Sequence, residues 1–198
     1  MTTPNWPPGL LGNNVRHTHA DFVARVEATA MKNQTRPLDK HAVVSLREIT
    51  RDTVRAVSLL DVARTQDGLV APNAFSIAQA HFHAEAWFRA IYADETPVGF
   101  AMLEDWTQVS SHEPHLYLEK PYVALWRFMI DARYQQWGFG AQAMQLLIAH
   151  AQSRPGAATM LLSFVPAEQN PEVFYRRFGF ARTGEVDDGE IVMARKLV

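Results

Sequence analysis

The stretch Phe128-Met129-Ile130-Asp131-Ala132-Arg133-Tyr134-Gln135-Gln136-Trp137-Gly138-Phe139-Gly140-Ala141 decides the fold. It begins inside a nearly continuous apolar run, residues 122–130 broken only by Arg127, of the kind that forms a central strand covered on both faces. A short polar turn follows, and Gly138 then opens a helix carrying Ala141, Met144, Ile148 and Ala151 on one stripe. The first turn of a helix exposes unpaired backbone N–H groups and the positive end of the helix dipole, and glycine lets an anion come close to them. Such geometry favours a pyrophosphate held by main-chain donors. It is not a P-loop, because no Gly-Lys-Ser/Thr follows, and it lacks the third glycine of the dinucleotide fingerprint. Glycines kept only for tight packing are the competing reading of this stretch taken alone.

Working upstream, Val43, Val44, Leu46 and Ile49 read as a first strand. Thr50 reads as the N-cap of a helix with Val54, Val57, Leu59 and Leu60, and Ser76 as the cap of a second helix reaching Ala80. Residues 87–93 and 98–103 are expected strands, joined as an antiparallel hairpin by Asp94-Glu95-Thr96-Pro97. Residues 108–121 are polar, contain two prolines and read as a loop. Downstream, Arg154-Pro155-Gly156 ends the long helix, residues 159–165 form a strand, residues 171–178 a short helix, and residues 180–196 a hairpin turning at Asp187-Asp188-Gly189. The order describes a mixed α/β domain without internal repeats, spanning residues 41–198. Residues 1–40 read as an N-terminal extension with a short helix over residues 20–30.

A chain of 198 residues suits one domain, and no apolar run is long enough to cross a bilayer. The start carries no secretory signal pattern, so the cytoplasm is the expected compartment. Without cysteine there is no disulfide, no thiolate metal site and no cysteine nucleophile. The net charge of −2 is unevenly spread: residues 60–120 hold nine acids against Arg64, Arg89 and Lys120. That bias argues against nucleic acid and suits a cationic small molecule, with a solvated acidic face as the competing reading.

Gln135-x-x-Gly138-x-Gly140 after an apolar strand resembles the Gln/Arg-x-x-Gly-x-Gly/Ala clamp of the GNAT N-acetyltransferases. Further on, Asn170-Pro171-Glu172-Val173-Phe174-Tyr175-Arg176-Arg177-Phe178-Gly179-Phe180 is similar to that family's second signature, a Tyr followed by a Gly-Phe strand start. The resemblance covers roughly residues 42–198. It implies a mostly antiparallel central sheet with a parallel central strand pair, flanked by helices, and acetyl-CoA as co-substrate with no metal. It also implies that donors along Gln136, Trp137, Gly138, Phe139, Gly140 and Ala141 hold the pyrophosphate, and that the strand edge at Phe128, Met129 and Ile130 pairs with the pantetheine arm. Tyr175 would then protonate the departing thiolate, a role open to a phenol. Many members place an Asn seven residues before this Tyr; here Glu168 holds that place, and Asn170, five before, is the candidate pantetheine contact.

The attacking amine must be neutral, so a base is needed. Glu104 is the first candidate, with Asp105 beside it and Glu85 and Asp131 behind; solvated or paired carboxylates are the competing reading, and Asp131 has the alternative of fixing the turn. The pairs His81/His83 and His112/His115 show no third metal ligand and read as surface or packing residues. Trp87, Trp106, Trp126 and Trp137 read as core or pocket walls rather than a nucleic-acid stacking platform.

Several stretches resemble the bacterial spermine/spermidine acetyltransferase branch, among them Leu46-Arg47-Glu48-Ile49-Thr50, Val70-Ala71-Pro72-Asn73, Ser76-Ile77-Ala78-Gln79-Ala80 and the run from Trp126 to Gln135. This implies a polyamine acceptor and direct transfer in a ternary complex, because no covalent nucleophile is apparent. An acetyltransferase for a peptide amine or an aminoglycoside, and a non-catalytic acyl-CoA-binding module, are the alternatives. Homodimerisation is common in the family, and no residue marks an interface; neither nucleic acid nor membrane is an expected partner.

Overall fold

The computed structural model describes residues 38–108, 121–168 and 170–197. The expected helix over residues 20–30, nearly all of the loop at 108–121, and His112 and His115 lie outside the described residues. The elements run β1 (Val44–Arg47), α1 (Val54–Ser58), α2 (Asn73–Ala80), β2 (Ala86–Ala93), β3 (Thr96–Asp105), β4 (Tyr122–Ile130), α3 (Phe139–Gln152), β5 (Thr159–Phe164), α4 (Glu172–Arg176), β6 (Ala181–Asp187) and β7 (Glu190–Lys196). Short 3-10 turns at Arg64–Gln66 and Ala132–Tyr134 complete the order. The strands form one seven-stranded sheet in the order β1-β2-β3-β4-β5-β7-β6. Every neighbouring pair is antiparallel except β4 and β5, which run parallel. This is the architecture that the resemblance implied.

The central strands are apolar on both faces because both are covered. Alternate residues point to opposite sides. Ala101, Leu103, Val123 and Leu125 join Phe139, Ala143, Met144, Leu147 and Ile148 of α3 in one core. Phe100, Met102 and Met129 join Val57, Leu60 and Ala80, brought by α1 and α2, in another. The buried stripe of α3 is Phe139, Ala143, Met144, Leu147, Ile148 and Ala151. Ala141, expected on that stripe, is half-buried instead, because the stripe starts from Phe139 and leaves Ala141 a turn away at the helix mouth.

Two capping expectations are corrected. Helix α1 starts later than Thr50, with Thr53 at its N-cap. Thr50 opens the preceding turn, its amide donating to Thr53 Oγ1 at 2.8 Å and its carbonyl accepting from Val54 N at 2.8 Å. Ser76 lies inside α2, its hydroxyl donating back to the Pro72 carbonyl at 3.2 Å, and Pro72 holds the cap position. The buried Asn73 ties α2 to the end of α1 through Nδ2 to the Val57 carbonyl, 2.9 Å. In the hairpin, Asp94 adopts φ of 48° and β3 begins at Thr96, so the connection is tighter than the four residues expected.

Gly99 sits between Ile91 of β2 and Ile130 of β4. A Cβ there would lie 2.4 Å from the Met129 carbonyl oxygen and 2.9 Å from Ile130 Cδ1. The carbonyl cannot step aside without moving β4 off β3. Gly99→Ala is therefore expected to cost about 1–3 kcal/mol, the usual penalty of overpacking. Thermal unfolding reads this as a fall in Tm of roughly 2–4 °C per kcal/mol.

Candidate active site

Pairing between β4 and β5 stops at Leu125 and Leu162. Strand β3 stays on β4 as far as Ile130, and β7 stays on β5 as far as Phe164. The two strands therefore part, and residues 126–130 of β4 have no strand partner on that side among the described residues. Just at the parting, Met102 pairs with Arg127 and Leu103 with Leu125, which makes Trp126 the extra residue of a β-bulge. A cleft of about 1660 Å³ runs through the split. Single-ligand pockets reach roughly 1,000 Å³, so there is room for two substrates.

One end of the cleft is the turn into α3. Asp131 is buried and shapes the start of this turn: Oδ1 accepts from the Arg133 amide at 3.0 Å and from its Nε at 2.8 Å, and Oδ2 accepts from the Asp61 amide at 3.1 Å. Gln135 Nε2 donates to the Ile130 carbonyl at 2.9 Å and to Gln66 Oε1 at 2.6 Å, pinning the turn to the end of β4. Gln136 and Gly138 take positive φ, 63° and 89°. A left-handed non-glycine residue is strained and has to be held by its surroundings. The alternation turns successive amides toward one side, the arrangement that makes anion-binding nests. From Gln136 to Gly140 the amides have no acceptor among the described residues. Trp137 and Phe139 send their side chains into the core, which leaves only their backbone for a ligand. Gly140 lies against Ile130 Cγ1, Phe128 Cζ and Phe174 Cζ, at 3.4, 3.9 and 3.9 Å from where a Cβ would stand.

Tyr175 comes from α4 and is packed by Phe164, Phe174 and Phe180, with ring centroids 6.3, 5.4 and 6.2 Å away. Burial pushes its hydroxyl up to about 12, so it stays protonated. Helix α4 has only one full turn and needs anchoring. Glu172 supplies it, accepting from Arg176 Nε and Nη2 at 2.9 and 2.6 Å and from Arg182 Nε at 2.9 Å. Hydrogen bonds from Arg182 and then Arg176 hold the Glu172 carboxyl down to about 2. Asn170 is spent partly on the same helix start, its Oδ1 accepting from the Glu172 amide at 2.8 Å, and it still lines the cleft.

The other end is acidic. Glu85 and Glu104 stand together there, Arg127 is close enough to feel Glu104 and Glu190, and Asp187 and Asp188 are further carboxylates of the cleft wall. Burial pulls the Arg127 guanidinium down, against the opposing pull of Glu190 and Glu104. Donor atoms of His83, Glu85 and Glu104 lie within 4.8 Å of one another. His83 Nδ1 is 3.0 Å from Glu85 Oε1, and its ring meets Trp126 edge-on at 4.9 Å. Glu104 Oε2 accepts from Trp106 Nε1 at 3.4 Å.

The model of the acetyltransferase (GNAT) family matches residues 56–180. The chain belongs to this family. The GNAT chain is 27% identical over 158 residues to the spermine/spermidine N(1)-acetyltransferase of Bacillus subtilis, covering 78% of this chain and 99% of that one. Solved structures show the same fold. The ribosomal-protein-S18-alanine N-acetyltransferase of Escherichia coli matches with a TM-score of 0.55 at 16% identity, over 78% of this chain and 94% of its own. The paia N-acetyltransferase of Thermoplasma acidophilum, solved with coenzyme A, matches with a TM-score of 0.54 at 16% identity, over 78% and 99%. No helix among the described residues is long and apolar enough to cross a membrane.

The structure brings Gln135, Gln136, Gly138, Gly140, Ala141, Phe128 to Ile130, Asn170, Tyr175, Glu104 and Glu85 to one cleft, while Trp137 and Phe139 of the expected clamp pack with the core instead. It takes two base candidates away. Asp131 is committed to the turn, as its position before the clamp had allowed. Asp105 is engaged by Thr107 N at 3.1 Å, Thr107 Oγ1 at 2.6 Å and the Arg154 guanidinium. Burial pushes the Asp105 carboxyl up, but those bonds outweigh it and hold it below its ordinary value. His83, read from the sequence as a surface or packing residue, is half-buried and lies beside Glu85, two residues on in the turn before β2, and Glu104, which β3 brings to it. His81, by contrast, is exposed as expected.

A carboxyl lowered on folding adds stability above its unfolded value and loses that contribution as pH falls through its folded value. For Glu172 this window runs from 4.5 down to about 2. The stability difference between wild type and Glu172→Gln, measured by chemical denaturation, is therefore expected to hold steady above about pH 5 and to close progressively below it.

Proposed function

We propose that this GNAT enzyme moves the acetyl group of acetyl-CoA to a primary amine of a polyamine such as spermidine or spermine, by direct transfer in a ternary complex. The observation that carries the reading is the acidic lining of the cleft: Glu85 and Glu104 stand together, Glu104 and Glu190 act on Arg127, and Asp187 and Asp188 add two carboxylates to the wall. An acceptor with several ammonium groups satisfies spaced carboxylates better than one with a single charge. The Bacillus relative, named for spermine and spermidine, supports the same reading.

The clamp end fits acetyl-CoA on chemical grounds. The amides from Gln136 to Gly140 stand at a helix mouth, where a pyrophosphate is favoured by unpaired donors and the helix dipole, and the Ala141 amide closes the turn onto the Gly138 carbonyl. The edge of β4 at Phe128, Met129 and Ile130, which has no strand partner among the described residues, offers main-chain groups to the pantetheine amides, with Asn170 near α4. Gln135 acts by pinning the turn in place. When bound, acetyl-CoA supplies an acetyl group activated as a thioester. Tyr175, neutral throughout the working pH range, gives its proton to the departing sulfur. Glu104 holds the acceptor ammonium beside Trp106 and Trp126.

Thiol release from acetyl-CoA, followed with spermidine, spermine, a lysine peptide and an aminoglycoside, tests the acceptor. The polyamines are expected to turn over fastest; turnover confined to the peptide or the aminoglycoside would sink the polyamine reading. Tyr175→Phe is expected to lower kcat by roughly 100-fold, the scale of a lost general acid. Its acetyl-CoA Kd should change by no more than about twofold, since the hydroxyl acts on the leaving group and not on binding.

A further inference from the structure

Direct transfer needs a group that accepts a proton from the acceptor ammonium, and the carboxylate Glu104 is already engaged by Trp106 Nε1. Three side chains at the acceptor end offer an alternative. His83 follows α2 and stands in the cleft wall, its Nδ1 3.0 Å from Glu85 Oε1. A carboxylate accepts hydrogen bonds, so this contact assigns the N–H to Nδ1 and leaves Nε2 with its lone pair. The same division, one ring nitrogen held by a carboxylate and the other free as a base, is how a histidine is fixed in a single reactive tautomer. Trp126, the bulge residue of β4, meets the ring edge-on at 4.9 Å and limits its rotation. Glu104 completes the triangle, its carboxylate within 4.8 Å of the other two groups, where it attracts a cation to the ring. Glu85 is the more buried partner, its side chain 11% exposed against 36% for His83, as expected of a residue that orients and one that reacts.

From this arrangement we infer that His83 is the catalytic base of the transfer, and that Glu85 is its positioning residue. The inference rests on the amine-acetylating reading given above. The ammonium held by Glu104 gives up two protons in all. His83 takes the first, freeing the nitrogen lone pair that forms the C–N bond as the C–S bond of the thioester breaks. Tyr175 protonates the sulfur, and the second proton leaves the nitrogen and restores Tyr175. His83 then returns its proton to solvent through its exposed side. An imidazole performs this work near neutrality better than a carboxylate, whose conjugate acid is far stronger. The charged groups beside the ring are Glu85 and, from β3, Glu104; Arg127 from β4, Glu190 from β7, Asp187, Asp188 and Arg177 line the same cleft.

The test is the pH dependence of kcat/KM for spermidine in wild type, His83→Gln, Glu85→Gln and Glu85→Ala. His83→Gln is expected to lose roughly 100-fold in kcat near neutrality with the acetyl-CoA Kd kept, the scale of a lost general base. Its remaining rate should climb about tenfold per pH unit, following the free-amine fraction of an alkylammonium. Glu85→Gln still offers an oxygen to Nδ1–H and should retain more activity than Glu85→Ala. His83→Ala provides a second readout, since added imidazole is expected to restore part of its rate. A His83→Gln enzyme with wild-type kcat and the wild-type pH profile overturns the assignment while leaving the acetyltransferase reading intact. A wild type that acetylates no amine in the panel overturns both.

Discussion

Everything at the site depends on β4 and β5 parting after four pairs of residues, from Tyr122 and Thr159 to Leu125 and Leu162. Abandoning a ladder leaves backbone donors and acceptors without partners, at a cost near 1 kcal/mol for each bond forgone. Each strand can bear this because it has a partner on its outer side. β3 holds β4 to Ile130, and β7 holds β5 to Phe164. The two wings are thus rigid separately, and neither collapses into the gap. The gap is partly filled from above by α4, whose Phe174 stacks on Phe128 at 6.0 Å and packs against Tyr175. A parallel sheet paired along its whole length would have left Tyr175 nowhere to stand and no open edge beside it.

The bulge at Trp126 sets which side chains see which half of the cleft. Adding one residue to a strand flips every side chain beyond it to the other face. Leu125 lies opposite Leu103 and shares its core beneath α3. Without the bulge, Arg127 would fall on that same apolar face. With it, Arg127 stands opposite Met102, where Glu104 and Glu190 can reach it, and Phe128 returns to the α3 side where Phe174 meets it. The same residue that inverts the register also braces His83. Strand pairing, the acidic end and the aromatic packing of Tyr175 are consequences of one insertion.

What could be read from the sequence follows the range of the interactions. The strand at residues 122–130, the helix opened by Gly138 and the hairpin turn at Asp187 to Gly189 rest on local periodicity and turn chemistry, and all were legible. The turn before the helix was legible through Gly138, which takes a left-handed φ. Side-chain engagement was not. Asp105 looked like a neighbour of equal rank to Glu104, yet adjacent residues in a strand face opposite sides, and Arg154 waits on the far side for Asp105. His83 read as a surface or packing residue because Glu104 comes to it from β3 and its brace lies in a bulge that no pattern announces. Gln135, matched as part of the clamp, turned out to spend its amide on Ile130 and Gln66.

Charge shows the same limit and leads one step further. The acidic bias of residues 60–120 suggested a cationic ligand, while the second half, with seven acids and eight bases, looked neutral. Folding sorts that second half. Asp187, Asp188 and Glu190 of the β6–β7 hairpin line the same cleft as Glu85 and Glu104. Arg177 goes to the opposite end, over the Phe174 ring at 5.6 Å, close to the clamp that Gly140 forms against the same ring. The cleft is therefore polarised along its length, with free amides and a guanidinium at one end and carboxylates at the other. Low-dielectric walls concentrate such a field. Phosphates are drawn to the clamp and repelled from the acceptor end, and ammonium groups the reverse, so the two substrates are sorted into opposite halves before any specific contact forms. That sorting depends only on the charges of the two substrates, and it explains how a wide and open cleft can still bring one thioester to one amine.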